Sequence, residues 1–287
     1  MNKQLIIALT IFWGVLTSSQ VSAQMEVNQP SNSPYEKINN DRKPAPLPSV
    51  RQADVIWEKK LWRIIDLREK MNQPMFYPTE LIEDRYSLIR LLMKGIEEGG
   101  ITAYDASADD EFRVPMTLEQ VREAMGATTQ KTMVRDFETG ELIEKVYQSD
   151  IRPEEVKQIM LKEVWFFDKV TSSLQVRIIG ICPIREYFRD EDVNQENVMK
   201  RQVFWINYPE ARQLLSKFDV FNPFNDARSM SYDEMFIKRY FSSYIIKESN
   251  KYNNREISSY AEGQDIIRES ERIKNDIFNW EQDLWEY

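Results

Sequence analysis

The sequence predicts an α+β protein, with a central, mostly antiparallel sheet of two hairpins plus a further strand, flanking helices and a helical C-terminus. Three observations predict this class. Two pairs of strand-like stretches surround short turns, as in β-hairpins. Several other segments repeat apolar residues at intervals of three and four, as in amphipathic helices. Strands and helices also occupy separate parts of the chain, which favours antiparallel pairing.

The chain begins with a segment typical of a secretory signal peptide. Lys3 precedes an apolar run over residues 5–16, and Val21 and Ala23 occupy positions −3 and −1 of a cleavage site. The run is shorter than the roughly 20 apolar residues that a spanning helix needs. We therefore expect cleavage after Ala23, so that residues 1–23 are removed and the mature chain works outside the cytoplasm; an uncleaved anchor is the alternative.

The mature chain divides into three predicted parts. Residues 24–50 are rich in proline and polar residues and bury too little apolar area to offset the entropy of ordering. They are expected to form a flexible arm, either an extended tether or an arm that orders on a partner. Residues 51–250 form the α+β core domain. Residues 251–287 form a C-terminal helical segment that packs on the core or on a partner.

Local patterns place the individual elements. Apolar periodicity with proline, glycine and capping signals predicts helices over residues 53–73, 78–98, 117–126, 153–161, 209–218, 232–247 and 259–285. Strand patterns are found over residues 101–104, 132–137, 142–147, 164–170, 174–184 and 203–207. Thr117 and Gln120 are spaced as a capping box at the start of a short helix, and Ser231 is predicted to cap the helix that begins at residue 232.

The last predicted helix carries an apolar stripe at a three-four spacing, interrupted only by Ser270. The stripe consists of Ile266, Ile273, Ile277, Trp280 and Leu284. Such a stripe packs on the protein's own core or in the groove of a partner. Because tryptophan is enriched where proteins bind one another, the candidate partner-binding residues are Trp280, Leu284 and Trp285.

The composition removes most of the usual catalytic residue types. The chain has no histidine, which excludes Ser-His-Asp and Cys-His systems and His-containing zinc sites within it. Its one cysteine, Cys182, lies in an apolar run and is predicted to be buried. A net charge of −9 suits neither a nucleic acid nor an anionic lipid surface as partner. No glycine-rich phosphate loop occurs, and we expect no cofactor and no metal.

One acidic cluster remains a candidate for catalysis. Asp109, Asp110 and Glu111 follow one another directly. Two carboxylates held at a fixed separation across a cleft hydrolyse glycosidic bonds, so a periplasmic carboxylate-based carbohydrate hydrolase is the alternative function. A solvated loop is the alternative interpretation of the cluster.

A second acidic cluster is similar to a calcium-binding loop. Asp190, Asp192 and Asn194 copy the first, third and fifth positions of that loop. Gln195 and Arg201 stand where the loop requires glycine for its turn and glutamate as bidentate ligand. A solvated acidic turn is therefore predicted instead of a calcium site.

Aromatic and polar strings recur along the mature chain, and none of them is a catalytic signature. They include Asp54-Val55-Ile56-Trp57, Tyr104 with Asp109-Asp110-Glu111-Phe112, residues 162–169, Arg177-Ile178-Ile179-Gly180-Ile181, residues 236–250 and Trp285-Glu286-Tyr287. In number and order these strings resemble the GldN/PorN family of the type IX secretion and gliding-motility apparatus. The likeness covers nearly the whole mature chain, whereas residues 24–50 add nothing to it.

The resemblance implies a structural component of a secretion machine in the periplasm. Members of the family associate with an outer-membrane lipoprotein, GldK or PorK, and build large rings with it beneath that membrane. They also meet the periplasmic part of the motor protein, GldM or PorM. The resemblance therefore implies three partners, namely that lipoprotein, that motor protein and other copies of this chain, and it supplies no catalytic residues.

Overall fold

The computed structural model describes residues 42–284 except 81, 83–84, 108, 128, 136–141, 149, 189–196, 223–224 and 226–229. The predicted signal peptide, the first part of the arm (residues 24–41) and Trp285 therefore lie outside the described residues, as do Asp190, Asp192 and Asn194 of the calcium-like loop. None of the helices in the described ranges is both long and apolar enough to cross a membrane.

Strands and helices alternate irregularly along the described ranges. The strands are β1 (Val55–Asp66), β2 (Ala103–Asp105), β3 (Thr129–Arg135), β4 (Leu142–Gln148), β5 (Val156–Asp168), β6 (Ser173–Tyr187), β7 (Met199–Gln202), β8 (Phe204–Asn207), β9 (Asp219–Val220), β10 (Met230–Ser231) and β11 (Tyr244–Glu248). The α-helices are α1 (Gln73–Phe76), α2 (Leu88–Glu97), α3 (Leu118–Ala124), α4 (Tyr208–Leu215), α5 (Tyr232–Ile237) and α6 (Gln264–Asp283).

A seven-stranded sheet forms the centre of the fold. Its strand order is β11-β1-β5-β6-β8-β2, and β7 pairs with β6 beside β8. Every pairing in it is antiparallel. The long hairpin of β5 and β6, predicted at residues 164–184, forms the middle of this sheet. The predicted α+β class, with an antiparallel sheet, flanking helices and a helical C-terminus, is confirmed.

The first predicted helix, over residues 53–73, is wrong, because most of this segment forms strand β1. Both faces of β1 are covered: Leu61 packs in a core cluster on one face and Trp62 in a separate cluster on the other. A strand covered on both faces carries apolar residues in a nearly continuous run. Periodicity alone does not distinguish such a run from a buried helix, which explains the error.

The helix predicted over residues 153–161 is also wrong beyond its first turn. Pro153–Glu155 form a single 3-10 turn, and β5 begins directly at Val156. Val156, Ile159 and Leu161 are buried in the main core, and Met160 is buried in the cluster on the opposite face, so the strand is covered on both sides. Proline starts this element as predicted, but tertiary packing selects the strand.

The helix predicted over residues 232–247 is divided into α5 and the edge strand β11. Arg239 adopts the left-handed conformation, with φ of 55°. The amide of Tyr240 then donates to the carbonyl of Met235 at 2.9 Å, which closes the helix as a Schellman motif. This position usually holds glycine, and the arginine gives no sequence signal for a helix end.

The hairpin predicted over residues 132–147 forms, but it lies outside the central sheet. β3 and β4 pair with each other over seven residue pairs and make their own two-stranded sheet. The predicted turn residues Glu138, Thr139 and Gly140 lie outside the described residues. The central sheet instead contains β1 and β11, which were predicted as helices.

The helix starts that were predicted from capping residues agree with the structure. The Thr117 hydroxyl accepts from the Gln120 amide and the Gln120 side chain accepts from the Thr117 amide, so the capping box is present. Ser231 caps α5 in the same way by accepting from the Glu234 amide at 3.2 Å. These signals depend only on nearby residues, which makes them readable from sequence.

Helices cover one face of the sheet. The main core lies between strands β1, β5, β6 and β8 and helices α2, α4 and α5. A second cluster on that face packs α6 against β1 and β11, through Ile273 and Ile277 against Leu61 and Ile245. The opposite face carries a smaller cluster around Trp62 and Trp205, covered by Tyr104, Ala106 and Phe112.

Candidate functional site

The predicted partner-binding residue Trp280 packs on the protein's own sheet. Its ring stacks on Trp57 of β1 with 4.5 Å between ring centroids and meets the edge of Phe167 at 5.9 Å. Leu284, one turn further along, is 41% exposed. Trp285 lies outside the described residues. Trp280 thus contacts the chain's own sheet, whereas Leu284 is exposed to solvent. The partner-binding role of all three residues stays a prediction.

The interruption of the stripe on α6 has a structural purpose. Ser270 is buried between α6 and β11, and its hydroxyl accepts a hydrogen bond from the backbone amide of Ile245 at 2.8 Å. A buried amide without an acceptor destabilises a fold, so the polar residue is required at this point of the apolar face. The stripe on α6 therefore packs mainly on the chain's own sheet.

The last turn of α6 carries negative side chains at the C-terminal end of the helix, where positive ones would be favourable. Glu281 and Asp283 lie there, no basic residue accompanies them in that turn, and neither forms an ion pair with a described residue. The C-terminal end of a helix carries a partial negative charge, which carboxylates destabilise and cations stabilise. With Leu284 exposed beside them, these carboxylates make the end of α6 an acidic and apolar surface.

The described part of the arm contacts the body close to α4. Arg212 of α4 donates to both oxygens of the buried Asp233 at 2.8 and 3.0 Å and to the carbonyl of Ala45 at 2.5 Å. Tyr208 also donates to Asp233, at 2.8 Å. These bonds to Asp233 raise the pKa of Arg212 above its ordinary value. A buried carboxylate thus holds the arginine that binds the arm.

A groove of about 1060 Å³ lies between this part of the arm and α4. Its apolar lining includes Leu47, Ile178 and Pro209. We call it the basic groove, because five cationic side chains line it, namely Arg42, Lys43, Arg177, Arg212 and Lys217. Such a concentration of positive charge stands out on a chain whose net charge is −9.

The carboxylates that the structure describes neutralise only part of this positive charge. Arg42 pairs with Asp219 and Arg212 with Asp233. Lys43, Arg177 and Lys217 form no ion pair with any carboxylate of the described residues. Burial, and after it the nearby charge of Arg212, lowers the pKa of Arg177. The basic groove therefore holds cations that an acidic ligand would stabilise.

The acidic loop Asp109–Glu111 does not form a pair of free carboxylates. Asp110 lies 3.4 Å from the ammonium of Lys162 and 4.0 Å from that of Lys247. Asp109 and Glu111 both pair with Arg113. Each carboxylate of the loop is already paired with a cation, and the loop does not hold two of them free on opposite sides of a cleft, so the geometry does not favour the hydrolase.

A small cavity lies beside this loop on the less covered face of the sheet. It measures about 220 Å³ and is lined by Asp109, Asp110, Trp62, Trp205 and Lys247, among others. The Lys247 ammonium lies 4.4 Å from the centre of the Trp62 ring, a cation–π contact. Among the described residues, no group of three or more Cys, Asp or Glu side chains comes together as a metal site.

Cys182 is fully buried, as predicted. Burial raises the pKa of its thiol far above the ordinary range, so little of the reactive thiolate forms. The basic groove, by contrast, was not predicted. Its cations come from the arm, β6, α4 and the turn after α4, and no spacing in the sequence joins them; the Arg42-Lys43 pair is the one local signal.

The described surfaces carry the chemistry of protein–protein contact, with apolar patches beside unpaired charges. The family model of the gliding motility associated protein GldN matches residues 50–286. The chain therefore belongs to the GldN family and is a component of the gliding-motility and type IX secretion machinery. The resemblance inferred from the sequence is confirmed. A comparison with the curated proteins finds no match.

Proposed function

We propose that this chain is a non-catalytic scaffold subunit that works in the periplasm and forms a ring with the outer-membrane lipoprotein of its machinery, GldK or PorK. In this proposal it also contacts the periplasmic part of the motor protein, GldM or PorM. The observation that carries the proposal is the match to the GldN family over nearly the whole chain after the arm.

The beginning of the chain supports the proposed location. The apolar run over residues 5–16 and the small residues before Gln24 are typical of a signal peptide, and the residue after the predicted site is Gln24 and not cysteine. In this proposal the exported chain associates peripherally with the outer membrane through the lipoprotein partner.

The chemistry of the body supports a scaffold. The chain lacks histidine, its cysteine is buried, and the acidic loop is bound to lysine and arginine. Its surface instead presents the basic groove and the acidic end of α6, which suit contacts with more than one neighbour. A ring subunit needs two different faces that meet head to tail.

The test is to express the tagged chain in its own host, solubilise the envelope gently and identify the co-purifying proteins by mass spectrometry. We expect the lipoprotein at an abundance comparable with that of the tagged chain, and we expect deletion of the gene to block secretion. Recovery of a clean monomer from the soluble periplasm, with secretion intact in the deletion strain, would contradict the proposal.

A further inference from the structure

We propose that the basic groove of one copy receives the acidic end of α6 from the next copy, so that identical chains join head to tail. This inference rests on the proposed function, because it names the contact that joins copies within the ring. It concerns the described groove residues and the last turn of α6.

The charges of the two surfaces are complementary. Lys43, Arg177 and Lys217 form no ion pair with the described carboxylates, and Glu281 and Asp283 form none with the described cations. Each surface therefore carries charges that the other would neutralise.

The helix end has its own need for a cation. α6 is a helix of 20 residues, and its last turn lacks a basic residue. The partial negative charge at its C-terminal end and the two carboxylates repel each other, and a cation placed there removes the repulsion. Arginine and lysine in the groove supply such cations from a neighbouring molecule.

The apolar parts of the two surfaces also correspond. Leu284 is exposed beside the carboxylates, and Trp285 follows it. The groove exposes Leu47 and also has Ile178 and Pro209 in its lining. Interfaces typically combine an apolar centre with a charged rim, so Leu284 would bind the apolar lining of the groove while the acids pair at its edge.

The proposed contact is heterologous because its two surfaces belong to different elements. The groove is built by the arm, β6 and α4, whereas the acidic end belongs to α6. Repetition of such a contact produces a ring when the rotation closes. A copy with net charge −9 repels another copy at long range, so self-association requires a local patch of opposite charge such as this groove.

The test uses cysteine cross-linking in the envelope. Gln213 is exposed and lines the groove, Gln282 is exposed at the end of α6, and the native Cys182 is buried. We expect the chain with both Gln213→Cys and Gln282→Cys to form a ladder of several cross-linked copies under oxidation. Each substitution alone should give no ladder, because a heterologous contact brings the two different positions together.

Charge reversal tests the same contact with a matched control. Lys217→Glu or Asp283→Lys, each added to the cysteine pair, should weaken the ladder about tenfold. The two reversals together should restore it. The controls Lys274→Glu and Glu271→Lys change exposed charges on other turns of α6 and should leave the ladder unchanged. Circular dichroism melting confirms that every variant is folded.

The outcomes separate this contact from the proposed function. Lipoprotein recovery without a ladder, or a ladder that survives Lys217→Glu, overturns the contact and leaves the scaffold proposal intact. Loss of lipoprotein recovery upon Lys217→Glu while the ladder persists assigns the groove to another partner and also overturns the contact. Absence of both lipoprotein recovery and a secretion defect upon deletion overturns the scaffold proposal itself.

Discussion

At the residue scale, the carboxylate of Glu163 is a buried charge that must be neutralised within the protein. This side chain on β5 is completely buried and accepts from both guanidinium nitrogens of Arg239, at 2.9 and 3.2 Å. The indole of Trp165 donates to it as well, at 3.0 Å. Arg239 makes these bonds from a left-handed conformation that usually takes glycine, so its ion pair offsets a strained backbone.

The first prediction concerns this pair. Arg239→Gly relieves the backbone but removes the ion pair and two guanidinium hydrogen bonds of the buried Glu163 carboxylate, and only Arg63 remains as a nearby cation. We therefore expect a loss of about 3 kcal/mol in the free energy of unfolding. Urea denaturation measures it. The control is Lys238→Ala, which removes an exposed pair with Glu234 and should change stability by less than about 0.5 kcal/mol. A stabilised Arg239→Gly variant would show that backbone strain outweighs the ion pair.

A second residue pair makes stability depend on pH. Hydrogen bonds from Arg68, including one of 2.8 Å from its Nε, lower the pKa of Asp66 from 3.8 to about 2. A lowered folded-state pKa contributes stability that is complete above pH 3.8 and is lost as the pH falls towards 2.

We therefore expect Arg68→Ala to move the pKa of Asp66 back towards 3.8, as measured by NMR titration of the carboxyl carbon. Because Arg68 is largely exposed, the stability difference from the parent should be about 1 kcal/mol or less at neutral pH and should shrink below pH 3.8. Arg51→Ala, a change at an exposed arginine elsewhere, is the control. An unchanged Asp66 titration in Arg68→Ala would assign the pKa shift to other groups.

At the element scale, the behaviour of α6 shows why an apolar stripe does not by itself mark a docking face. Ile273 and Ile277 pack on Leu61 and Ile245, and the interrupting Ser270 serves the edge strand β11. An edge strand has unpaired backbone groups on one side, which proteins commonly cover. One helix thus covers the sheet and also accepts a hydrogen bond from a backbone amide of the edge strand.

The third prediction tests this hydrogen bond. Ser270→Ala leaves the Ile245 amide buried without an acceptor, and we expect it to lower the free energy of unfolding by about 1–3 kcal/mol. Ser258→Ala, at an exposed serine, is the control and should be nearly neutral. Hydrogen exchange at the Ile245 amide should accelerate in Ser270→Ala alone. If exchange there is unchanged, another group accepts from this amide.

At the scale of the whole molecule, the β3–β4 hairpin forms a sheet of its own beside the seven-stranded central sheet. Its strands pair only with each other among the described residues, and an isolated hairpin is marginally stable in water. The chain enters and leaves it close together, since the amide of Arg152 donates to the carbonyl of Met125 at 3.3 Å. The backbone hydrogen bonds of the central sheet therefore do not extend to the hairpin.

The fourth prediction follows from this arrangement. Replacement of residues 129–148 by a short glycine linker should shift the melting temperature by less than about 4 °C, the size of a 1 kcal/mol effect in a body of this length. Removal of residues 264–287 is the contrasting change, because it exposes Leu61 and Ile245 and should unfold or aggregate the protein. A hairpin deletion as damaging as that truncation would place the hairpin in the core.

The sequence by itself determined the α+β class, the helix caps at Thr117 and Ser231, the part of the β5–β6 hairpin over residues 164–184 and the family. These depend on residues near one another in the chain or on strings in a set order. Tertiary structure alone decided that residues 55–66 form a strand, that Arg239 ends a helix and that five distant cations form one groove. Each of these depends on what covers a residue or faces it across the fold, and local periodicity carries no such information.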